Sequence, residues 1–486
     1  MSPATVRIDS IETPCLGNRS YVMTDGGSAI VVDPPRDIDR VEAIIDAAGA
    51  RRITHVFETH RHADYVSGGL HLARRHRADY VVPAGDPEPG FDFRPARAGD
   101  SFGTDSLGIR VVATPGHTPH HVAYVLEVSG DPIAVCTGGS LLHGSVGRTD
   151  LYGASLARPL AHAQWQSARR LLDLLPGHVR LLPTHGFGSL CSAGGVADTT
   201  AATLDEEAAS NPSLRSSELE FVTGLLQSYG PIPRHYARLP LINAAGPQPV
   251  DLSPARGINP DELERHRSAG NWLVDVRDRR SFACSHVRGS VNVEATGPLV
   301  AYLPWILAPG AGVVLIGDSE GISSAARQLT QVGIDRPMGT LMFDDRRDDI
   351  PDIASYPVST FDGYLEAAEL GGSMVLDVRS AQEWQAAHVR GALHFALPGL
   401  ATAFDPSGPR APTADETWGR ADVWVYCGGG FRAAVAASLL HAAGVRVTLI
   451  DEPFSAAQDA GITVSNEGRY ARPLGDSAAS RSPSVG

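Results

Sequence analysis

Three apolar runs of this chain end in histidine. Ile53 to Phe57 leads into Glu58-Thr59-His60-Arg61-His62-Ala63-Asp64-Tyr65, Ile109 to Ala113 into Thr114-Pro115-Gly116-His117, and Val179 to Leu182 into Pro183-Thr184-His185-Gly186. Imidazoles offer neutral nitrogen donors and a carboxylate offers a hard anionic oxygen. His60, His62, Asp64, His117 and His185 are therefore candidate metal ligands. Core packing has no use for histidine at three strand ends. A second constellation lies far downstream. Val423 to Tyr426 precedes Cys427-Gly428-Gly429-Gly430-Phe431-Arg432, and a helical pattern follows from Ala433 to Ala443. Three glycines let a loop curl so that its N–H groups form an anion nest. A cysteine near a helix N-terminus is favoured as thiolate, and Arg432 adds positive charge. Such a thiolate can attack a sulfane sulfur and carry it as Cys–S–S⁻.

The elements that must hold these residues follow from periodicity. Ser28 to Asp33 is a short buried strand closed by Pro34-Pro35. Asp37 to Gly49 reads as a helix, with Val41, Ile44, Ile45 and Ala48 on one face. A helix from about Val66 to Arg75, strands at Tyr80 to Pro83, His121 to Val128 and Asp131 to Thr137, and a helix from Pro159 to Leu175 complete the first part. Tyr229 to Leu252 is rich in Pro and Gly and reads as a linker.

Beyond it the chain repeats. Leu273-Val-Asp275-Val-Arg277 returns around Asp377-Val-Arg379, and His286-Val-Arg288-Gly289 returns as His388-Val-Arg390-Gly391. The offset is 102 residues at both landmarks, which makes a tandem of parallel α/β units. The first unit reads Val314 to Gly317, then Asp318-Ser319-Glu320-Gly321-Ile322-Ser323. Aligned through Gly321, Asp318 stands at the cysteine position and Ser323 at the arginine position, so this unit cannot carry persulfide. Cys284 precedes the His-Val-Arg-Gly motif, outside the loop, and reads as structural.

The chain has 486 residues and a formal net charge of −14. That length implies about three domains, and the charge argues against nucleic acid or an anionic membrane as the main partner. No apolar run approaches a membrane span, and the N-terminus lacks a secretory pattern. Five scattered cysteines make no disulfide framework and fit a reducing cytoplasm.

The Thr-His-x-His-x-Asp corner, the Pro-Gly-His-Thr turn and the late histidine resemble the metallo-β-lactamase fold. With Gly147-Arg148-Thr149-Asp150 they resemble its persulfide dioxygenase branch. That resemblance implies an N-terminal αββα sandwich, Fe(II) on His60 and His117, and oxidation of a glutathione persulfide by O2. It also implies a carboxylate ligand at a position where this chain has Gly139, ten residues downstream of Thr137 being Gly147 with no gap. On this register Gly139→Asp should restore iron binding. Tyr65 stands where dinuclear relatives carry histidine, and Arg148 is placed to pair with a substrate carboxylate, or else with an internal acid. His60, His62 and His117 could hold zinc instead, Asp64 and His185 could complete a rearranged site, or the pocket could bind persulfide without metal.

Asp-Val-Arg, His-Val-x-Gly and Cys-x-x-Gly-x-Arg resemble a rhodanese domain. Asp451-Glu452 replace its late Gly-Gly and put negative charge near the pocket rim. The expected organisation is a multidomain α/β chain. A metallo-β-lactamase domain spans 1–245, an inactive rhodanese-like domain 250–345, a rhodanese domain 355–470 and a disordered tail 471–486. The expected function is persulfide metabolism. Cys427 and Arg432 act as sulfurtransferase within the loop Gly428 to Phe431, and the first domain oxidises or binds a glutathione-like persulfide, with Tyr65 and Arg148 contacting it. Thiosulfate is an alternative sulfane donor, and a homo-oligomer is compatible with all of this. The rival is a glyoxalase II-like thioester hydrolase, against which the missing acid at Gly139 counts.

Overall fold

The computed structural model describes residues 6–85, 90–104, 106–192, 203–308, 310–343, 350, 352–404 and 421–465. The tail 471–486 lies outside them. The chain divides into two units, 1–252 with 327–335 and 253–326 with 336–486.

The first unit is an αββα sandwich. One sheet orders Arg7–Thr13, Asn18–Thr24, Ser28–Val32, Arg52–Phe57, Asp79–Pro83 and Arg94–Ala96. The other orders Arg180–Pro183, Asp131–Gly138, Val122–Val128, Gly108–Ala113 and Ser101–Gly103. Alternation along the strands fills both faces. Tyr21, Met23, Ile30 and Phe57 of the first sheet meet Ile109, Tyr124, Leu126 and Cys136 of the second in one core. The opposite faces, through Val22, Val31 and Val56, and through Val125, Val135 and Leu181, pack against helices. Burial on both faces explains why these strands read as near-continuous apolar runs.

Two boundaries moved. The helix expected to open at Pro159 spans Ala154–Leu174 and carries Pro159 within its second turn. Proline suits a first turn, but the apolar face of Ala157, Leu160, Ala161 and Ala168 extends the helix upstream of it. The stretch from Tyr229 to Leu252 is folded, against its reading as a linker: a 3₁₀ turn at Arg234–Ala237 precedes the helix Leu239–Ala245. Tertiary hydrogen bonds outweigh its Pro and Gly content, as the site shows.

The second unit holds two parallel sheets. Trp272–Asp275 sits between Val291–Asn292 and Val313–Gly317, with Gly339–Met342 outside. Ser373–Asp377 sits between Leu393–His394 and Asp422–Tyr426, followed by Val447–Ile450 and Val358–Ser359. The repeated Asp-x-Arg is a latch at the end of each central strand. Arg379 grips Asp377 with Nε at 3.0 Å and Nη2 at 2.6 Å and donates to the Ala387 carbonyl. Arg277 does the same to Asp275 and the Ser285 carbonyl. The repeated histidine stacks on an aromatic ring four residues upstream, His388 on Trp384 and His286 on Phe282. No described helix is long and apolar enough to cross a membrane.

Candidate functional sites

The two sandwich sheets deliver His60, His117 and His185 from three strand ends to one buried cluster, each 1% exposed or less. Their outer nitrogens are all held by acceptors. The His60 Nδ1 lies 2.9 Å from Thr59 Oγ1, whose own proton goes to Asp33 Oδ2. The His117 Nδ1 donates to the Arg148 carbonyl at 2.7 Å. The His185 Nδ1 donates to Asn18 Oδ1 at 2.9 Å, and Asn18 Nδ2 donates to Asp64 Oδ2, which fixes the amide's orientation. All three rings are therefore Nδ1–H tautomers, and their bare Nε2 lone pairs point into the cluster. The His60 and His185 Nε2 atoms stand 3.2 Å apart. Two nitrogens bound to one tetrahedral ion would stand about 3.3 Å apart. Burial first, then the neighbouring imidazoles, holds His117 down to about 3 and His60 well below the usual histidine range. These are neutral donors.

His62 behaves differently. Its Nε2 makes ion-pair contacts with Asp33 Oδ1 at 3.1 Å and Glu58 Oε2 at 3.2 Å. Burial opposes its charge, but the two carboxylates outweigh burial and hold it up to about 10. Its Nδ1 has no hydrogen-bond partner among the described residues, nor has Asp64 Oδ1. Asp33, Glu58 and Asp64 are all buried. Two low-lying carboxylates, Asp33 and Asp64, and Glu58, which burial pushes up, stand beside buried neutral imidazoles; His60, His62 and His185 bring ligand atoms within 4.8 Å of one another, as do His117, His185 and Cys191, so a cation can complete the set. A cavity of about 30 Å³ lies beside it, lined by Glu58, His60, His62, Tyr80, Phe91 and Asn243 among others.

Several expected roles change. Arg148 is buried and spent internally: Nε and Nη2 hold Asp150 at 2.7 and 2.8 Å, and further donors reach the Leu190 and Gly230 carbonyls. Of the two roles expected for it, the internal ion pair is the one formed here. Tyr65 is buried, and its hydroxyl donates to the Asp33 carbonyl at 3.1 Å. At Gly139, a Cβ would lie 2.2 Å from His117 Cδ2, and at Gly147 it would lie 2.7 Å from His117 Nδ1. The imidazole fills the slot that an acidic side chain at 139 would need. Gly139→Asp is thus expected to expel His117 and lower metal content at least about tenfold, the reverse of the sequence-based expectation. Metal analysis of the purified variant checks this.

Sequence reasoning missed the residues that brace the corner. Asn243, from the stretch read as a linker, donates to the His62 and Tyr65 carbonyls at 3.0 and 2.9 Å and accepts from Ser67 N–H. Gln164 accepts from His117 N–H at 2.8 Å. No local signal marks either one, because their partners lie up to 181 residues away.

In the second unit, Cys427 closes the strand Asp422–Tyr426 and precedes the helix Phe431–Ala442. The Gly430 N–H donates to Cys427 Sγ at 3.2 Å. Gly430 has φ +91, and a Cβ there would press on Asp451 and Arg279, so glycine is required. In the other repeat the Gly321 N–H donates to Asp318 Oδ1 at 2.7 Å, so the aspartate occupies the sulfur's place in the turn. Arg432 is paired with Glu383 at 2.6 and 2.7 Å, which partly neutralises it. Phe431 packs on Tyr302, with ring centroids 5.5 Å apart. Asp451 does not present free negative charge: Arg279 and Arg280 bind its two oxygens at 2.5 and 2.6 Å. With Glu452, Gly429 and others these residues line a cavity of about 380 Å³. Cys284 is exposed, contrary to a structural reading.

Burial works against the Glu383 charge, but Arg432 and the Ser380 cap outweigh it and hold the carboxyl down to about 2. A depressed carboxyl stabilises the fold above the ordinary glutamate range, and the contribution is lost as pH falls through about 2. Glu383→Gln is expected to flatten the acid limb of the stability curve, between roughly pH 4.5 and pH 2, in thermal unfolding of the full chain.

Residues 13–185 match the metallo-beta-lactamase superfamily, and residues 259–341 and 360–460 match the rhodanese-like domain. A hydroxyacylglutathione hydrolase of Acidiphilium cryptum is 30% identical over 226 residues, 42% of this chain and 88% of the relative. The chain belongs to the metallo-beta-lactamase superfamily, with rhodanese-like domains in its C-terminal part. The superfamily relatives include the mitochondrial persulfide dioxygenase ETHE1 of Bos taurus, 28% identical over 223 residues, 46% of this chain and 81% of the relative. A solved metallo-beta-lactamase structure from Staphylococcus aureus shares the fold with a TM-score of 0.62 at 24% identity, covering 69% of this chain and 99% of that one.

Proposed function

We propose that this protein moves and oxidises sulfane sulfur. The observation that carries the reading is Cys427, whose sulfur receives the Gly430 N–H at the head of a helix. Its thiolate attacks the outer sulfur of thiosulfate or of a low-molecular-weight persulfide. A new S–S bond forms, the donor's S–S bond breaks, and sulfite or the thiolate leaves with the electron pair. An acceptor thiol or cyanide then takes the outer sulfur, and the Cys427 thiolate leaves. The nest N–H and the helix N-terminus stabilise the terminal anion of Cys–S–S⁻. The cavity beside Gly429 admits the partner molecules.

In the first unit His60, His117 and His185 would hold Fe(II), or Zn(II) as the alternative, through their bare Nε2 atoms. Iron, when bound, supplies a site at which O2 can oxidise a glutathione-like persulfide. Thr59, Arg148 and Asn18 hold the Nδ1 protons, so the ligand nitrogens remain deprotonated. The named activity of ETHE1 relatives supports this substrate class. Free cysteines support a reducing, cytoplasmic setting. The test is oxygen uptake with glutathione persulfide. Iron-loaded protein is expected to consume O2, chelator-stripped protein to lose at least about 90% of the rate, and added Fe(II) to restore it. No uptake after iron reconstitution would sink the dioxygenase half.

A thioester hydrolase is the second reading, favoured by the hydroxyacylglutathione hydrolases among the relatives. Tyr65 and Gly139 weigh against it, because neither supplies the further ligands that a second metal needs. Hydrolysis of a hydroxyacylglutathione by the zinc-loaded protein, without oxygen uptake by the iron form, would favour it.

A further inference from the structure

We propose that Cys191 is a metal ligand, supplying the anionic donor that Gly139 does not, alongside His117 and His185. The inference rests on the metal-centre reading above. Cys191 lies beyond the segment 13–185 that the superfamily pattern covers. It is fully buried, and its sulfur, His117 and His185 have ligand atoms all within 4.8 Å of one another. Thiolate sulfur and imidazole nitrogen on one tetrahedral ion stand about 3.6 Å apart. A side-chain movement on the order of 1 Å therefore closes the set.

Among the other anionic candidates, Glu58 Oε2 and Asp64 Oδ1 lack a hydrogen-bond partner among the described residues, but neither acid shares a ligand group with His117. The His117 ring fills the slot at Gly139. Asp64 Oδ2 accepts from Asn18 and lies 3.4 Å from the outer nitrogen of His185, behind the ring rather than at its bare face. Asp33 is engaged by Thr59, Thr184 and His62. The Tyr65 hydroxyl donates to a carbonyl. The Cys191 sulfur, by contrast, makes only weak contacts with hydroxyls among the described residues, 3.7 Å to Tyr236 and a further one to Ser189. Its backbone is fixed to the same neighbourhood: the Arg148 N–H donates to the Cys191 carbonyl, while the Arg148 carbonyl holds the His117 Nδ1 proton. One residue thus ties the thiol and the imidazole to each other. Binding displaces the thiol proton and leaves two nitrogens and one sulfur with open positions for further donors, a set softer than two histidines and a carboxylate. His62, with its unpartnered Nδ1, is the competing fourth donor.

Cobalt(II) titrated into the metal-free full chain reads the donor set directly. The expected result is one tightly bound cobalt with a near-ultraviolet thiolate-to-metal charge-transfer band. The band should persist in Cys427→Ser and vanish in Cys191→Ser, with the dissociation constant rising at least about tenfold. Cobalt bound without a thiolate band, or a band that survives Cys191→Ser, overturns this inference and leaves the metal centre standing. No bound cobalt overturns the metal-centre reading itself. A spectrum of the unsubstituted protein without the band already overturns the inference, so it stays falsifiable even where Cys191→Ser misfolds.

Discussion

Cys427→Ser abolishes transfer of sulfane sulfur from thiosulfate to cyanide, with a fall of at least about three orders of magnitude in kcat/KM. Serine keeps the shape of the turn and can still accept the Gly430 N–H. What it loses is the thiolate, because a hydroxyl at neutral pH is neither ionised nor able to hold a sulfur atom as a leaving group. The other repeat supplies the internal comparison. Asp318 accepts the Gly321 N–H in the same turn and has no reactive sulfur. Introducing a cysteine there by Asp318→Cys while Cys427→Ser is present is therefore expected to leave the chain inactive. Ser323 stands at the place of Arg432 and offers no cation. Steady-state assays of the single and double variants check this. A Cys427→Ser protein with more than about a tenth of the original activity would remove the assignment.

Asp33→Ala is expected to cost about 3–5 kcal/mol in the first unit, the range for removing one partner of a buried ion pair. It is fully buried and has φ +51, a backbone conformation that alanine dislikes by roughly 1–2 kcal/mol. Its carboxylate accepts from Thr59 N–H at 2.7 Å and from the hydroxyls of Thr59 and Thr184, and it faces the His62 imidazolium. Through Thr59 it also sets which nitrogen of His60 carries the proton. Removing it frees the Thr59 hydroxyl to donate to His60 and flip that tautomer. Bound metal should then fall about 10–100-fold in affinity, the usual effect of an outer-shell loss. Asp33→Asn tolerates the backbone and keeps an acceptor, so it should cost less stability while still weakening metal binding. Chemical denaturation and metal titration of both variants separate the two effects. Equal stability loss in both would assign the cost to charge rather than to backbone.

The parts of this protein that were legible in the sequence are those whose partners are close in the chain. The loop from Cys427 to Arg432 lies between a strand and a helix, so strand periodicity, three glycines and helix periodicity place the nucleophile together. The 102-residue repeat exposes Asp318 as its replacement for the same reason. The three histidine-bearing strand ends were likewise visible, because each is a local switch from apolar to polar residues. Local pattern misled where long-range bonding took over. The Pro- and Gly-rich stretch near Asn243 folds because that amide bonds carbonyls of the histidine corner.

Only the tertiary structure decided which atoms face which. Histidines 60, 117 and 185 are up to 125 residues apart, and their tautomers depend on Thr59, Arg148 and Asn18. Arg148 could have met a substrate or an internal acid, and the strand end that carries it turned it onto Asp150. Gly139 looked like a lost ligand, whereas in space it is room for the His117 ring. Periodicity and spacing record the direction a chain segment takes. Coordination depends on side-chain rotamers and hydrogen-bond partners drawn from separate strands, and these exist only once the two sheets have closed on each other.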